Sequence, residues 1–116
     1  MEEKKTLDEN LFGLIPVDTQ KIKSVFAKYP QVEEVFIYGS RAKGNHKPYS
    51  DIDLTFLGNE LSQKLLFQIE IDLDELCLPY SFDLSIKETI NNPELLDHIE
   101  RVGKIFYNKE NNFKII

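Results

Sequence analysis

Tyr38-Gly39-Ser40-Arg41-Ala42-Lys43-Gly44, followed after a short loop by Ser50-Asp51-Ile52-Asp53-Leu54, is the most informative stretch of this chain. Val32 to Tyr38 leads into it and is rich in β-branched and aromatic residues, which predicts a strand. Gly39 ends that strand and opens a short helical turn. Backbone N–H groups at such a turn face outward and favour an anion. Gly39 lets the backbone approach a ligand closely. Ser40 adds a hydroxyl donor, and Arg41 and Lys43 add positive charge, so the turn has the make-up of a phosphate site. Asp51 to Leu57 then alternates: Asp51, Asp53 and Thr55 face one way, Ile52, Leu54 and Phe56 the other. Both carboxylates therefore project from one face of a strand anchored by its apolar side. No basic residue lies between them, and a divalent cation relieves their repulsion. Paired aspartates facing phosphate oxygens suit metal-assisted phosphoryl or nucleotidyl transfer.

Working outward, Tyr80 to Ile86 predicts a further strand, with Phe82, Leu84 and Ile86 alternating against Asp83 and Ser85. An adjacent strand would set Asp83 beside the first pair as a third carboxylate. The segment from Glu60 to Cys77 fits either period, and its length decides for a helix. Asp18 is a plausible N-cap for a helix carrying Ile22, Val25, Phe26 and Tyr29 and stopped by Pro30. Asn92-Pro93 starts another helix, with Leu95, Leu96, Ile99 and Val102 as its apolar stripe and Gly103 as C-cap. Lys104 to Tyr107 reads as an edge strand. Leu11 to Ile15 looks like a piece packed on the domain, and residues 1–10 are expected to be loosely held. Interleaved strands and helices predict an α/β (α+β) fold, a mixed sheet with helices packed on it.

The 116 residues and 13.5 kDa suit a single domain over 1–116. Hydrophobic residues at 41% and charged residues at 29% match an ordinary globular protein, and no apolar run approaches a membrane span. No secretory signal is visible, Cys77 is the only cysteine, and a cytoplasmic setting is expected. With 14 Lys plus Arg against 20 Asp plus Glu, the formal net charge is −6. That disfavours direct nucleic-acid binding, which feeds on a basic surface. A basic partner or a small anion held through metal ions fits better.

Several other patterns carry less. Gly39 to Gly44 has P-loop spacing, but Asn45-His46 stands where Lys-Ser/Thr is required. Asp72 and Asp74 lie two apart on a helix and point to different sides, as a solvated face. His46 and His98 lack metal-ligand spacing and read as surface residues. Ser40 is not flanked as a hydrolase nucleophile, and Cys77 reads as a helix-end packing residue. A Gly-Ser turn or an Asp-x-Asp alone is commonly structural. Their joint occurrence on strand ends, in order, with a basic turn between, reverses that weighting.

With Phe82-Asp83-Leu84 as third strand, the two-part signature resembles that of the minimal nucleotidyltransferases, small members of the DNA polymerase β-like superfamily. Phe12-Gly13-Leu14, Leu78-Pro79-Tyr80 and His98 to Lys104 extend the resemblance over roughly 11–107. It implies a polymerase β-like palm. It implies ATP held through Gly39, Ser40, Arg41, Lys43, Gly44 and Ser50, and two Mg2+ ions on Asp51, Asp53 and Asp83. The same three aspartates would be catalytic, Asp83 as a metal ligand, a general base for an attacking hydroxyl, or both. Minimal members commonly pair with an all-helical HEPN-type protein, in some pairs an RNase toxin that the nucleotidyltransferase neutralises as antitoxin by adding AMP to a tyrosine. The rival expectation is a binding module that neutralises a helical partner by occlusion, its site vestigial. Leu11 to Ile15 and Phe113, Ile115 and Ile116 are the apolar candidates for the partner contact.

Overall fold

Proline at a first helical position fixes φ where no amide donor is needed, and Pro16 starts helix α1 (Pro16–Ala27) in this way. In this computed structural model, which describes residues 11–114, Ile15 rather than Asp18 is the N-cap. Asp18 lies in the first turn, buried, and accepts a hydrogen bond from the Tyr80 hydroxyl at 2.7 Å. Strand β1 is Glu34–Tyr38, shorter than predicted, because Val32 N–H turns back to Tyr29 O and Glu33 N–H bonds Leu57 O. Helix α2 (Gly39–Lys43) follows directly, then β2 (Ile52–Leu57), which leaves Asp51 just outside the strand. Helix α3 (Gln63–Asp74) is capped by Ser62 Oγ on the Leu65 N–H. The predicted Glu60–Cys77 span is trimmed at both ends, where Glu60 and Cys77 take φ of 62° and 56°. Strand β3 is Phe82–Ile86, helix α4 is Pro93–Val102, β4 is Lys104–Asn108 and α5 is Lys109–Lys114. Asn92 caps α4 through bonds from the Glu94 and Leu95 N–H groups, as its sequence predicts. Gly103 ends it in an extended conformation, where a Cβ would overlap Ile99 O.

The four strands form one mixed sheet in the order β3-β2-β1-β4. Strands β2 and β3 are parallel; β1 is antiparallel to both β2 and β4. One face carries Val35, Ile37, Ile52, Leu54 and Phe56 against Ile22, Val25 and Phe26 of α1 and Leu66, Ile69 and Leu73 of α3. Phe26 is fully buried and meets Phe56 edge-on at 5.2 Å and Tyr107 at 5.7 Å. Truncating such a ring to alanine costs about 3–5 kcal/mol, so this layer anchors the sheet whose other face carries the candidate site. That other face carries Tyr38, Asp53, Thr55, Asp83 and Ser85, as the alternation predicts.

Two readings change. Asp72 is not a solvated residue: it accepts a hydrogen bond from the Tyr29 hydroxyl and pairs with Lys28 at 3.4 Å, tying α3 to the end of α1. Burial and this carboxylate push the Tyr29 phenol up to about 12. Cys77 is exposed rather than packed: it lies beyond the end of α3, in a left-handed conformation within the turn that follows. Leu14 is fully buried and Phe12 packs on Phe106, whereas Leu11 and Ile15 are about half exposed. Residues 1–10, Ile115, Ile116 and the Phe113 side chain lie outside the described residues. Among those described, no helix is long and apolar enough to cross a membrane.

Candidate active site

Parallel pairing sets Asp53 opposite Asp83, and residues opposed in a ladder share a face. Both carboxylates therefore stand side by side on the open face, and Asp51 joins them from the residue preceding β2. Asp53 is half-buried; Asp51 and Asp83 are exposed. Burial first, then the charges of Asp83 and Asp51, raise the Asp53 carboxyl to about 6. Tyr38 stands on the same face next to Asp53, buried, and its phenol is raised by that burial.

Gly39 has φ of 77°, in the left-handed region, and a Cβ there would overlap Asp53 Oδ2. No other residue lets the turn lie this close to the carboxylate. The first N–H groups of a helix have no intrahelical acceptor. At α2 the Gly39 amide is taken by His98 Nε2 at 3.1 Å, and the Ser40 amide follows it in the same first turn. Ser40 is half-buried, and its hydroxyl donates to no protein group among the described residues. Lys43 is exposed at the other end of the turn.

Three residues expected to touch nucleotide do other work. Arg41 is 2% exposed, and its guanidinium donates to Phe12 O at 2.8 Å, Ser50 O at 3.1 Å and Pro48 O at 3.2 Å. It also lies over the Tyr80 ring at 5.4 Å. A forked, planar donor set suits such convergent carbonyls, and a group so enclosed presents no charge to a phosphate. Burial lowers its affinity for its proton only in degree. Ser50 Oγ accepts the Lys47 N–H at 2.8 Å and closes the loop that Arg41 grips. Gly44 is the left-handed C-cap of α2, its amide spent on Ser40 O. The loop ending at Asp51 is thus fixed from inside.

The family model "Polymerase beta, Nucleotidyltransferase" matches residues 20–112. The chain belongs to this nucleotidyltransferase family. No curated protein sequence matches it. Among solved structures, a chain of a toxin–antitoxin complex with AMP-PNP superposes with a TM-score of 0.64 at 18% identity, over 84% of this chain and 78% of that one. A complex of a tri-AMPylated HEPN toxin with an MNT antitoxin from Shewanella oneidensis gives 0.59 at 16% identity, over 85% and 76%. A putative nucleotidyltransferase from Sulfolobus solfataricus gives 0.50 at 20% identity, over 87% and 83%. These similarities establish the polymerase β-like fold.

In this nucleotidyltransferase no three acidic, histidine or cysteine side chains among the described residues enclose a metal ion by themselves. The donor set nevertheless fits Mg2+, which usually takes one or two carboxylates and completes its shell with water and substrate phosphates. Burial and the two neighbouring acids raise the Asp53 carboxyl, and a divalent cation beside it would offset that crowding of negative charge. His98 is the residue the sequence concealed: it reads as a surface histidine but is half-buried against Tyr38, with ring centroids 6.1 Å apart. Its partner amide lies on the other side of the fold in sequence, so no local pattern exposes it. His46 is likewise half-buried, near Gly13, with no hydrogen-bond partner for Nδ1 among the described residues.

Proposed function

We propose that this nucleotidyltransferase is Mg2+-dependent and transfers AMP from ATP to a hydroxyl, a tyrosine, of a HEPN-type helical partner, acting in the cytoplasm as an antitoxin. The observation that carries the reading is the placement of Asp53 and Asp83 opposite each other on an open face, beside the Gly39 turn. The fold neighbours add support: one holds AMP-PNP and another pairs an MNT antitoxin with an AMPylated toxin. Asp51, Asp53 and Asp83 would hold the metal, which when bound neutralises phosphate charge and polarises the α-phosphate. Ser40 and its amide bind the triphosphate. Asp83, exposed on the edge strand of the sheet, would take the acceptor's proton as its oxygen attacks the α-phosphorus and pyrophosphate leaves.

Mass spectrometry of the co-purified partner after incubation with ATP and Mg2+ tests this. The expected product is a partner carrying AMP, absent with Asp51→Asn/Asp53→Asn. An unmodified partner, still neutralised by the double variant, would establish occlusion instead.

A further inference from the structure

We infer that His98 is a positioning residue of the nucleotide-binding turn, holding the Gly39 amide and with it the approach of the turn to Asp53. The inference rests on the Mg2+–nucleotide reading of the site. Gly39 is the one residue that joins both halves of the site. It ends β1, opens α2, and packs its Cα against Asp53 Oδ2. A glycine at φ of 77° has the widest choice of alternative conformations, so this junction is not fixed by its own backbone. The constraint comes from outside. His98 Nε2, on α4, accepts the Gly39 N–H at 3.1 Å. The imidazole is held edge-on to Tyr38, the residue before the turn, with an interplanar angle of 79°. Helix α4 is in turn fixed by its Asn92 cap and by buried Ile99, the residue next to His98.

The chemistry limits what His98 can do. Its Nε2 lone pair is engaged by an amide, so the ring proton sits on Nδ1. An engaged Nε2 is not free to take a proton from an acceptor hydroxyl. His98 therefore acts through Gly39 and not on the substrate. With its amide held, the turn presents the next donors, the Ser40 amide and hydroxyl, in one orientation, and preorganised donors are what bind a phosphate well.

Side-chain length supplies the test. In glutamine, Oε1 lies as many bonds from Cβ as Nε2 does in histidine, and it is an acceptor. In asparagine the acceptor falls one bond short. His98→Gln should keep the Gly39 bond, and His98→Asn and His98→Ala should lose it. Two measurements on the full chain read this: titration with Mg2+ and AMP-PNP, and amide hydrogen exchange at Gly39 without nucleotide. The expected result is affinity about tenfold weaker for Ala and Asn, near wild type for Gln. Gly39 exchange should be fast in Ala and Asn and slow in Gln. Melting temperatures separate this from plain packing, because Gln and Asn lose the same aromatic contact with Tyr38. Equal affinity in all four proteins would overturn the inference, as would Gln failing alongside Ala. Tighter binding by Ala would also overturn it, showing that His98 competes with phosphate for the Gly39 amide. A wild-type chain that binds no Mg2+–AMP-PNP would overturn the nucleotide reading itself and this inference with it; a failure of His98 alone leaves wild-type binding intact.

Discussion

Burial and two neighbouring carboxylates hold the Asp53 carboxyl at about 6, above the ordinary range near 4 for an unfolded aspartate. Between those values the folded metal-free chain binds more protons than the unfolded one, so stability falls as pH rises through that window. Removing the charge should then stabilise the metal-free fold at neutral pH. The shift converts to about 1 kcal/mol once solvent screening of a half-exposed group is allowed for. Asp53→Asn is expected to melt a few degrees above wild type at pH 7 in EDTA, with the gap closing by about pH 4. Mg2+ should raise the wild-type melting temperature and leave the variant's unchanged. Thermal melts across pH check both signs, and a variant less stable at pH 7 would mean Asp53 is a structural acceptor. Ser40 is the opposite case. Its hydroxyl has no protein partner among the described residues, so Ser40→Ala should move stability by under about 0.5 kcal/mol. Nucleotide binding should weaken by about 1–3 kcal/mol, the loss of a donor to a charged acceptor. Melting and titration on one sample separate the two effects.

At the scale of elements, the loop between α2 and β2 is held by one guanidinium. Arg41 bonds carbonyls at both ends of the loop's second half and a third in the N-terminal turn, while Asp18 fixes Tyr80 beneath it. Arg41→Ala leaves those carbonyls unsatisfied and should destabilise the fold by about 2–4 kcal/mol. Arg41→Lys should recover little, because one ammonium cannot span three diverging acceptors. Denaturant unfolding of both variants measures this; a lysine variant as stable as wild type would reduce Arg41 to a simple charge. This element also marks the limit of sequence reading. The alternation of Asp51 to Leu57 and of Tyr80 to Ile86 is local, so the strand faces were legible, whereas the Asp53–Asp83 juxtaposition also needs β2 and β3 to pair, which alternation alone does not give. Arg41, Ser50, Gly44 and His98 have residue types that suit a phosphate site or a surface. Arg41 and His98 reach the Phe12 carbonyl and the Gly39 amide only through tertiary packing, which no spacing rule encodes, whereas Gly44 and Ser50 bond locally, the first to Ser40 O and the second from the Lys47 N–H. Local signals also compete: Pro16 at the first helical position starts α1 with Ile15 as N-cap, while the Asp18 side chain is taken by Tyr80.

The whole molecule carries a formal charge of −6, and three of its acids gather on one face of the candidate site without a basic side chain between Asp51 and Asp53. The cations of the Gly39 turn are no remedy: Arg41 is sealed under the loop, and Lys43 stands at the far end of α2. A triphosphate brings several negative charges to this field, and like charges separated by less than about 10 Å at moderate salt are poorly screened. The turn's few amide donors cannot offset that repulsion alone, whereas a divalent cation changes the sign of the local field. Affinity for ATP should therefore fall at least about a hundredfold, or about 2.7 kcal/mol, when Mg2+ is replaced by EDTA. Without metal, residual binding should strengthen as salt is raised from low to moderate, because screening then relieves repulsion. With metal the trend should reverse, since screening weakens the bridge between carboxylates and phosphates. Calorimetric titration with ATP at two salt concentrations, with and without Mg2+, distinguishes these trends. Equal affinity with and without metal would mean that the three aspartates face away from the phosphates, and the assignment of the open face as the active site would fall.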